Sequence, residues 1–135
     1  MKLLIGLCAM IAMVASQWSP STKIDYLKFR EECFKSENVP QSAIDKLNNE
    51  QYGEDLGHEA KCYIRCLGVK TGTWDDTKGY DIEKGYQNLI SWGFEVNKEN
   101  LQKCATPNTE NDDKCVWAAK NTKCLWTNKY VTKKQ

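Results

Sequence analysis

The chain has 135 residues, 41% hydrophobic and 27% charged, with 19 basic residues against 18 acidic. That near-neutral balance excludes a binder of nucleic acid or polyanionic surfaces, which needs a basic excess, and the length suits one domain around one core. Seven cysteines in so short a chain make the redox compartment the first question.

The N-terminus answers it. Lys2 is followed by an apolar run from Leu3 to Val14, then the small residues Ala15 and Ser16 and the polar Gln17. This order predicts a secretory signal peptide over residues 1–16, cleaved after Ser16. The run is shorter than the roughly 20 apolar residues of a membrane span, and no other segment approaches that length. Removing it takes away Lys2 and Cys8, so a domain over residues 17–135 keeps 119 residues, 18 basic against 18 acidic, and six cysteines. An even number of cysteines in a secreted chain implies three disulfides, whose connectivity counting alone leaves open. No internal repeat and no N-x-S/T sequon is present in residues 17–135.

Gln17 to Thr22 reads as an extended lead-in. A helix begins at Ser21 or Thr22, either of which can cap it, with Tyr26, Phe29 and Cys33 on one stripe that Leu27 and Phe34 widen. Asn38-Val39-Pro40 stops it. Ser42 to Asn49 predicts a short second helix carrying Ile44 and Leu47. Gly53 breaks it, and a third helix runs from about Leu56 to Val69. Gly68 to Gly79 is the loosest stretch, holding Asp75-Asp76, with Trp74 standing alone. A fourth helix places Ile82, Tyr86, Leu89 and Gly93 at i, i+4, i+7 and i+11, with Asp81 and Glu83 where the dipole favours negative charge. Asn97 to Thr106 makes a fifth, carrying Leu101 and Cys104 and stopped by Pro107. Thr109 to Asp113 caps a last helix from about Asp112 to Trp126. No stretch alternates with a period of two, so strands are absent or minor. The fold class is all-α, about six helices.

Two cysteines dominate this layout. Cys62 and Cys66 lie four apart in the third helix, so both sulfurs leave one face a turn apart and are badly placed to join each other. Each must reach a different part of the chain. Cys115 and Cys124 are nine apart in the last helix, on opposite faces, and should not pair with each other either. The remaining schemes all staple different helices together, and geometry does not choose among them.

The spacing Cys33-x28-Cys62-x3-Cys66-x37-Cys104-x10-Cys115-x8-Cys124 resembles the six-cysteine signature of the insect odorant-binding proteins, the pheromone/general-odorant-binding family. The x3 and x8 gaps are its specific part, and the resemblance covers nearly all of the chain after the signal peptide. It implies the interlocked pairs Cys33–Cys66, Cys62–Cys115 and Cys104–Cys124, with the helices arranged around a hydrophobic cavity. The function it implies is a secreted, extracellular carrier of small hydrophobic ligands, such as odorants, pheromones or similar lipophiles, through aqueous fluid. Carriers of this family also serve in saliva, haemolymph and seminal fluid. A secreted interaction protein on the same disulfide frame, without a cavity, is the reading from a different class.

The set expected to line a cavity is Tyr26 and Phe29 of the first helix, Leu67 and Val69 of the third, Ile82, Tyr86, Leu89 and Ile90 of the fourth, and Val116, Ala119 and Trp126 of the last. Plain core packing would use the same stripes. Tyr26, Tyr86 or Tyr130 could offer a hydroxyl to a polar ligand group. The tail after Cys124 reads as a free end, with a partial lid formed by Leu125, Trp126, Tyr130 and Val131 as the alternative. His58, the single histidine, reads as a solvated residue near a helix start, with pH sensing as its functional alternative. No catalytic residue, cofactor or metal is expected. Asp75-Asp76 and Asp112-Asp113 read as a loop pair and a cap, no G-x-S-x-G is present, and oxidation claims the Cys62 and Cys66 sulfurs that could hold zinc with His58. The expected partners are a small hydrophobic ligand and, at delivery, a chemosensory receptor or membrane surface. Nucleic acid is not among them, and the expected unit is a monomer or weak homodimer.

Overall fold

Side chains that accept a hydrogen bond from the first turn mark the start of most helices in the computed structural model, which describes residues 17–53 and 55–134. Thr22 caps α1 (Lys23–Ser36), Asp81 caps α4 (Ile82–Ser91), Asn97 caps α5 (Lys98–Cys104) and Asp113 caps α6 (Lys114–Thr127), each satisfying an amide that the helix itself leaves unpaired. Pro40 precedes α2 (Gln41–Asn48) and Gly57 precedes α3 (His58–Lys70). These are the six expected helices. The expected signal peptide lies outside the described residues. Among the described residues no helix is long and apolar enough to cross a membrane.

Strand content is small. Trp74–Asp75 (β1) pairs antiparallel with Gly79–Tyr80 (β2), and Phe94–Glu95 (β3) pairs antiparallel with Thr132–Lys133 (β4). The first pair, a hairpin, replaces the loose stretch expected between Gly68 and Gly79. Its turn is closed by Asp75, whose carboxylate accepts from the amides of Thr77 and Lys78, and Arg65 of α3 grips Asp76 through two guanidinium nitrogens. Gly79 turns the chain at φ 83°, and a side chain there would collide with the Trp117 ring. Trp74 is not isolated: it meets Trp117 edge to face at 4.8 Å between centroids.

The three disulfides are Cys33–Cys66, Cys62–Cys115 and Cys104–Cys124. They join the helices in the series α1–α3–α6–α5, as the interlocked scheme implies. The lead-in is tied down as well. Ser21 donates its amide to Oδ1 of Asn88, which is fully buried and in turn donates to the Thr71 carbonyl. Ser91 and Trp92 both donate to the Ser21 carbonyl.

The apolar interior falls into two clusters. One gathers Phe34, Leu47, Tyr63, Ile64, Trp74 and Trp117 under α1, α2, α3 and α6. The other gathers Leu89, Trp92, Leu101, Leu125 and Val131 under α4, α5, α6 and the C-terminal strand. Tyr80 packs against both.

Closing a longer loop removes more freedom from the unfolded chain. Cys62–Cys115 spans 53 residues and Cys104–Cys124 spans 20. Replacing the first pair by alanines is therefore expected to cost about 1 kcal/mol more than replacing the second, within losses of about 2–5 kcal/mol each. Urea unfolding of the two variants measures the difference, and the reverse order would contradict it.

Candidate ligand-binding site

Between the two clusters lies a cavity of about 100 Å³. Its wall takes Tyr63, Ile64, Leu67 and Trp74 from the α3 side, Leu89, Trp92 and Phe94 from the α4 side, and Ala118, Asn121, Leu125 and Trp126 from α6. Tyr80 and Gly85 form one end, and a side chain on Gly85 would occupy the place of the Tyr80 hydroxyl. Among the described residues the wall holds no histidine, carboxylate, amine or thiol. Ring packing makes it stiff: Tyr26 stacks on Trp92 at 4.1 Å, Tyr52 on Trp126 at 5.6 Å, and Phe94 meets Trp126 edge-on at 5.5 Å.

Four tyrosines line it, and burial dominates their ionisation. Removal from water pushes the hydroxyls of Tyr26, Tyr52 and Tyr80 up, and that of Tyr63 up to about 12, against the opposing pull of Arg30 on Tyr26, Tyr52 and Tyr63. Arg30 Nε donates to the Tyr63 hydroxyl at 3.0 Å. The hydroxyls of Tyr26, Tyr52 and Tyr80 have no hydrogen-bond partner among the described residues. They are neutral donors waiting in an apolar wall.

Four of the expected residues line this cavity: Tyr26, Leu67, Leu89 and Trp126. The others lie elsewhere. Val116 and Ala119 face a separate outer groove with Leu56, Lys61 and Lys120, which shares only Tyr52 with the cavity. Tyr86 sits at an open surface hollow beneath Lys98, whose Nζ is 5.1 Å from the ring centre. Tyr130 carries Lys103 over its ring at 5.4 Å. Val69 and Ile90 are about half exposed, Phe29 is half-buried on α1 away from the cavity wall, and Ile82 packs against the second cluster without reaching the cavity. The tyrosines that line the cavity are Tyr26, Tyr52, Tyr63 and Tyr80, and neither Tyr86 nor Tyr130 is among them. The stripe on α4 failed because its neighbour α5 takes that face, leaving only Gly85, Leu89 and the following Trp92 to the cavity. Trp74 and Tyr80 flank Asp75-Asp76-Thr77-Lys78-Gly79, a turn sequence with its glycine, and that signal could have located them.

The C-terminal end also departs from expectation. It is not free: Val131 is 2% exposed and lines the cavity, Tyr130 donates its amide to the Leu125 carbonyl, and Lys134 donates to that of Gly93. Lys133 pairs with Glu50 on the α2–α3 loop. The tail is a strap pinned beside the cavity. A dry cavity of about 150 Å³ admits benzene, so a ligand longer than a few carbons must displace part of the wall.

His58 has a partner that the sequence did not reveal. Its Nε2 is 3.5 Å from Oδ2 of Asp113. That carboxyl is held below its usual range first by the Val116 amide it caps and then by His58. His58, Cys62 and Cys115 bring three metal-ligating atoms together, but the two sulfurs are bonded to each other and offer no thiolate.

Three stapled helix pairs around an aromatic-walled cavity define the class as a small disulfide-bonded helical domain. The chain belongs to the PBP/GOBP family, whose model matches residues 15–128. It is 34% identical over 130 residues to odorant-binding protein 22 of Aedes aegypti, covering 95% of this chain and 91% of the relative. With general odorant-binding protein 99a of Drosophila melanogaster it shares 27% over 128 residues, covering 93% and 89%. General odorant-binding protein 99b of the same fly is 25% identical over 127 residues, covering 85% and 84%.

Two outcomes follow from this geometry. Ending the chain at Tyr130 removes the Val131 side chain, whose burial contributes about 2 kcal/mol, so the midpoint of urea unfolding is expected to fall and bound ligand to exchange faster. An unchanged midpoint would mean that the strap is idle. The tyrosines set the alkaline limit. Unfolded tyrosine ionises near pH 10, while the buried four keep their protons, so the unfolded state binds fewer protons above that pH and stability falls as pH rises. Stability is expected to be full below about pH 10 and to drop progressively through about pH 12. Urea midpoints at about pH 9 and pH 11, with tyrosinate absorbance as a monitor, test this.

Proposed function

We propose that this chain is a secreted carrier that encloses a small hydrophobic ligand and moves it through aqueous fluid. The observation that carries the reading is the apolar, aromatic-walled cavity between the two clusters, which no side chain of the fold fills. Membership of the PBP/GOBP family and relatives named for odorant binding support the same reading. So does the sequence of residues 1–16, which has the form of an export signal, together with three disulfides that an oxidising compartment would preserve.

The chemistry of the wall favours holding over transforming. General acid–base or nucleophilic work needs a titrating group near its task, and the tyrosine hydroxyls here are pushed away from neutrality. Binding needs only burial. Each ligand methylene taken from water contributes about 0.8 kcal/mol, so a ligand of ten carbons brings about 8 kcal/mol of burial against the costs of association.

Displacement of the fluorescent apolar probe 1-NPN from delipidated protein tests the proposal. Ala118 is buried on α6 and faces the cavity, so Ala118→Leu fills it and is expected to weaken probe binding at least about tenfold. Phe29→Ala, away from the wall, is expected to leave it unchanged. Absence of saturable uptake by the unmodified protein would refute the carrier reading.

A further inference from the structure

The cavity wall contains a side-chain amide acceptor that the fold leaves unused. Asn121 lies on the cavity face of α6 and is 5% exposed. Its Nδ2 donates to the Cys104 carbonyl at 2.7 Å. Only the nitrogen can make that bond, so the amide orientation is decided by its partner. Oδ1 receives no hydrogen bond from any described residue. It is not sealed in protein either, because no side-chain oxygen or nitrogen in the described structure is both sealed and unpaired. Asn121 lines the cavity and neither of the two other hollows described above.

Other unpaired polar side chains of the wall, Tyr26, Tyr52, Tyr80 and Thr122, carry hydroxyls, which both donate and accept. The hydroxyls of Tyr26, Tyr52 and Tyr80 stay protonated and can donate to any ligand oxygen. An ether, ketone or ester satisfies those donors and leaves Asn121 Oδ1 bare in an apolar wall. A carboxylate has no proton to give and sets its own oxygens against Oδ1. A hydroxyl group does both things, accepting from a tyrosine while donating to Oδ1. Leaving a buried acceptor unpaired is penalised more than a satisfied hydrogen bond is rewarded. The discrimination therefore acts mainly against ligands that lack a donor.

We propose that Asn121 makes the cavity selective for apolar ligands that carry a hydroxyl, alcohols and phenols, by accepting a hydrogen bond from the ligand O–H at Oδ1. The proposal rests on the carrier reading above and specifies the chemical class of the cargo. Its rival is a resident water that saturates Oδ1 and stays when a ligand enters.

Isomers separate the two. 4-Ethylphenol and 4-methylanisole contain the same atoms and differ in having a donor. Each is used to displace 1-NPN from the full protein and from Asn121→Ala, so that the differing hydration of the two isomers cancels in the comparison between proteins. The substitution is expected to weaken 4-ethylphenol about tenfold more than 4-methylanisole. Equal weakening of both, as a resident water would give, overturns the proposal. Asn121→Ala also removes the bond to Cys104, so a second measurement uses the unmodified protein. In ¹⁵N-labelled protein the Asn121 side-chain amide resonances are expected to shift with 4-ethylphenol and stay in place with 4-methylanisole. The same response to both isomers overturns it. If neither isomer displaces the probe, the carrier reading falls and this inference with it, whereas undiscriminating binding of both sinks this inference alone.

Discussion

Two sulfurs one turn apart on α3 set the positions of everything else. Because stacked side chains cannot bridge to each other, Cys62 and Cys66 pull in two helices from different parts of the chain, α6 and α1. Cys124 carries the series on to α5. The result is four helices whose mutual spacing is held covalently, with α2 and α4 packed around them by side-chain contact alone. Spacing held in that way does not depend on filling the interior.

That independence explains how an internal void is tolerated. An unfilled volume of about 100 Å³ destabilises a core by about 2 kcal/mol, comparable to what one disulfide contributes through the unfolded state. The void also sits where it disturbs least, at the seam between two clusters that are each well packed. Phe34 stacks on Tyr63 at 4.3 Å within one, and Leu101 is fully buried in the other. Tyr80 bridges the seam, and Gly85 gives its hydroxyl room.

The wall of that seam is aromatic for a physical reason. Flat rings cover large areas with few rotatable bonds, so they can line a hollow without collapsing into it. Tyrosine adds a hydroxyl at the far end, and burial keeps that hydroxyl protonated. The site is therefore apolar in area and polar at a few points, the general pattern of small-molecule pockets. The strap of Val131 to Lys133 adds Val131 to this wall and is held by a short antiparallel ladder to Phe94 and Glu95, which is slight pairing compared with the helices beneath.

Much of this was legible in the residues alone. Caps at Thr22 and in Thr109 to Asp113, acidic residues at the start of α4, breakers at Pro40, Gly53 and Pro107, and apolar spacing on α1 and α4 placed six helices, because those signals are local and act within a turn or two. The spacing of six cysteines pointed to the family and its pairing. Much of the wall was not legible: Tyr52, Tyr63, Trp74, Tyr80 and Phe94 follow no single stripe. Most come from loops and short strands, and Tyr63 shares with Leu67 the α3 face on which only Leu67 was expected to line the cavity. Which face of α4 met α5 and which met the hollow also lay beyond reach, since Ile82, Tyr86 and Ile90 read alike with Leu89 until neighbours were present.

What the sequence by itself determined is the helical, disulfide-stapled frame, since periodicity, capping and cysteine spacing are properties of the chain taken locally. What only the tertiary structure decided is the hollow: its volume, its ring of tyrosines and the strap pinned beside it. A cavity is the space that remains when helices from distant parts of the chain have crossed, and no local pattern encodes the place where side chains fail to meet.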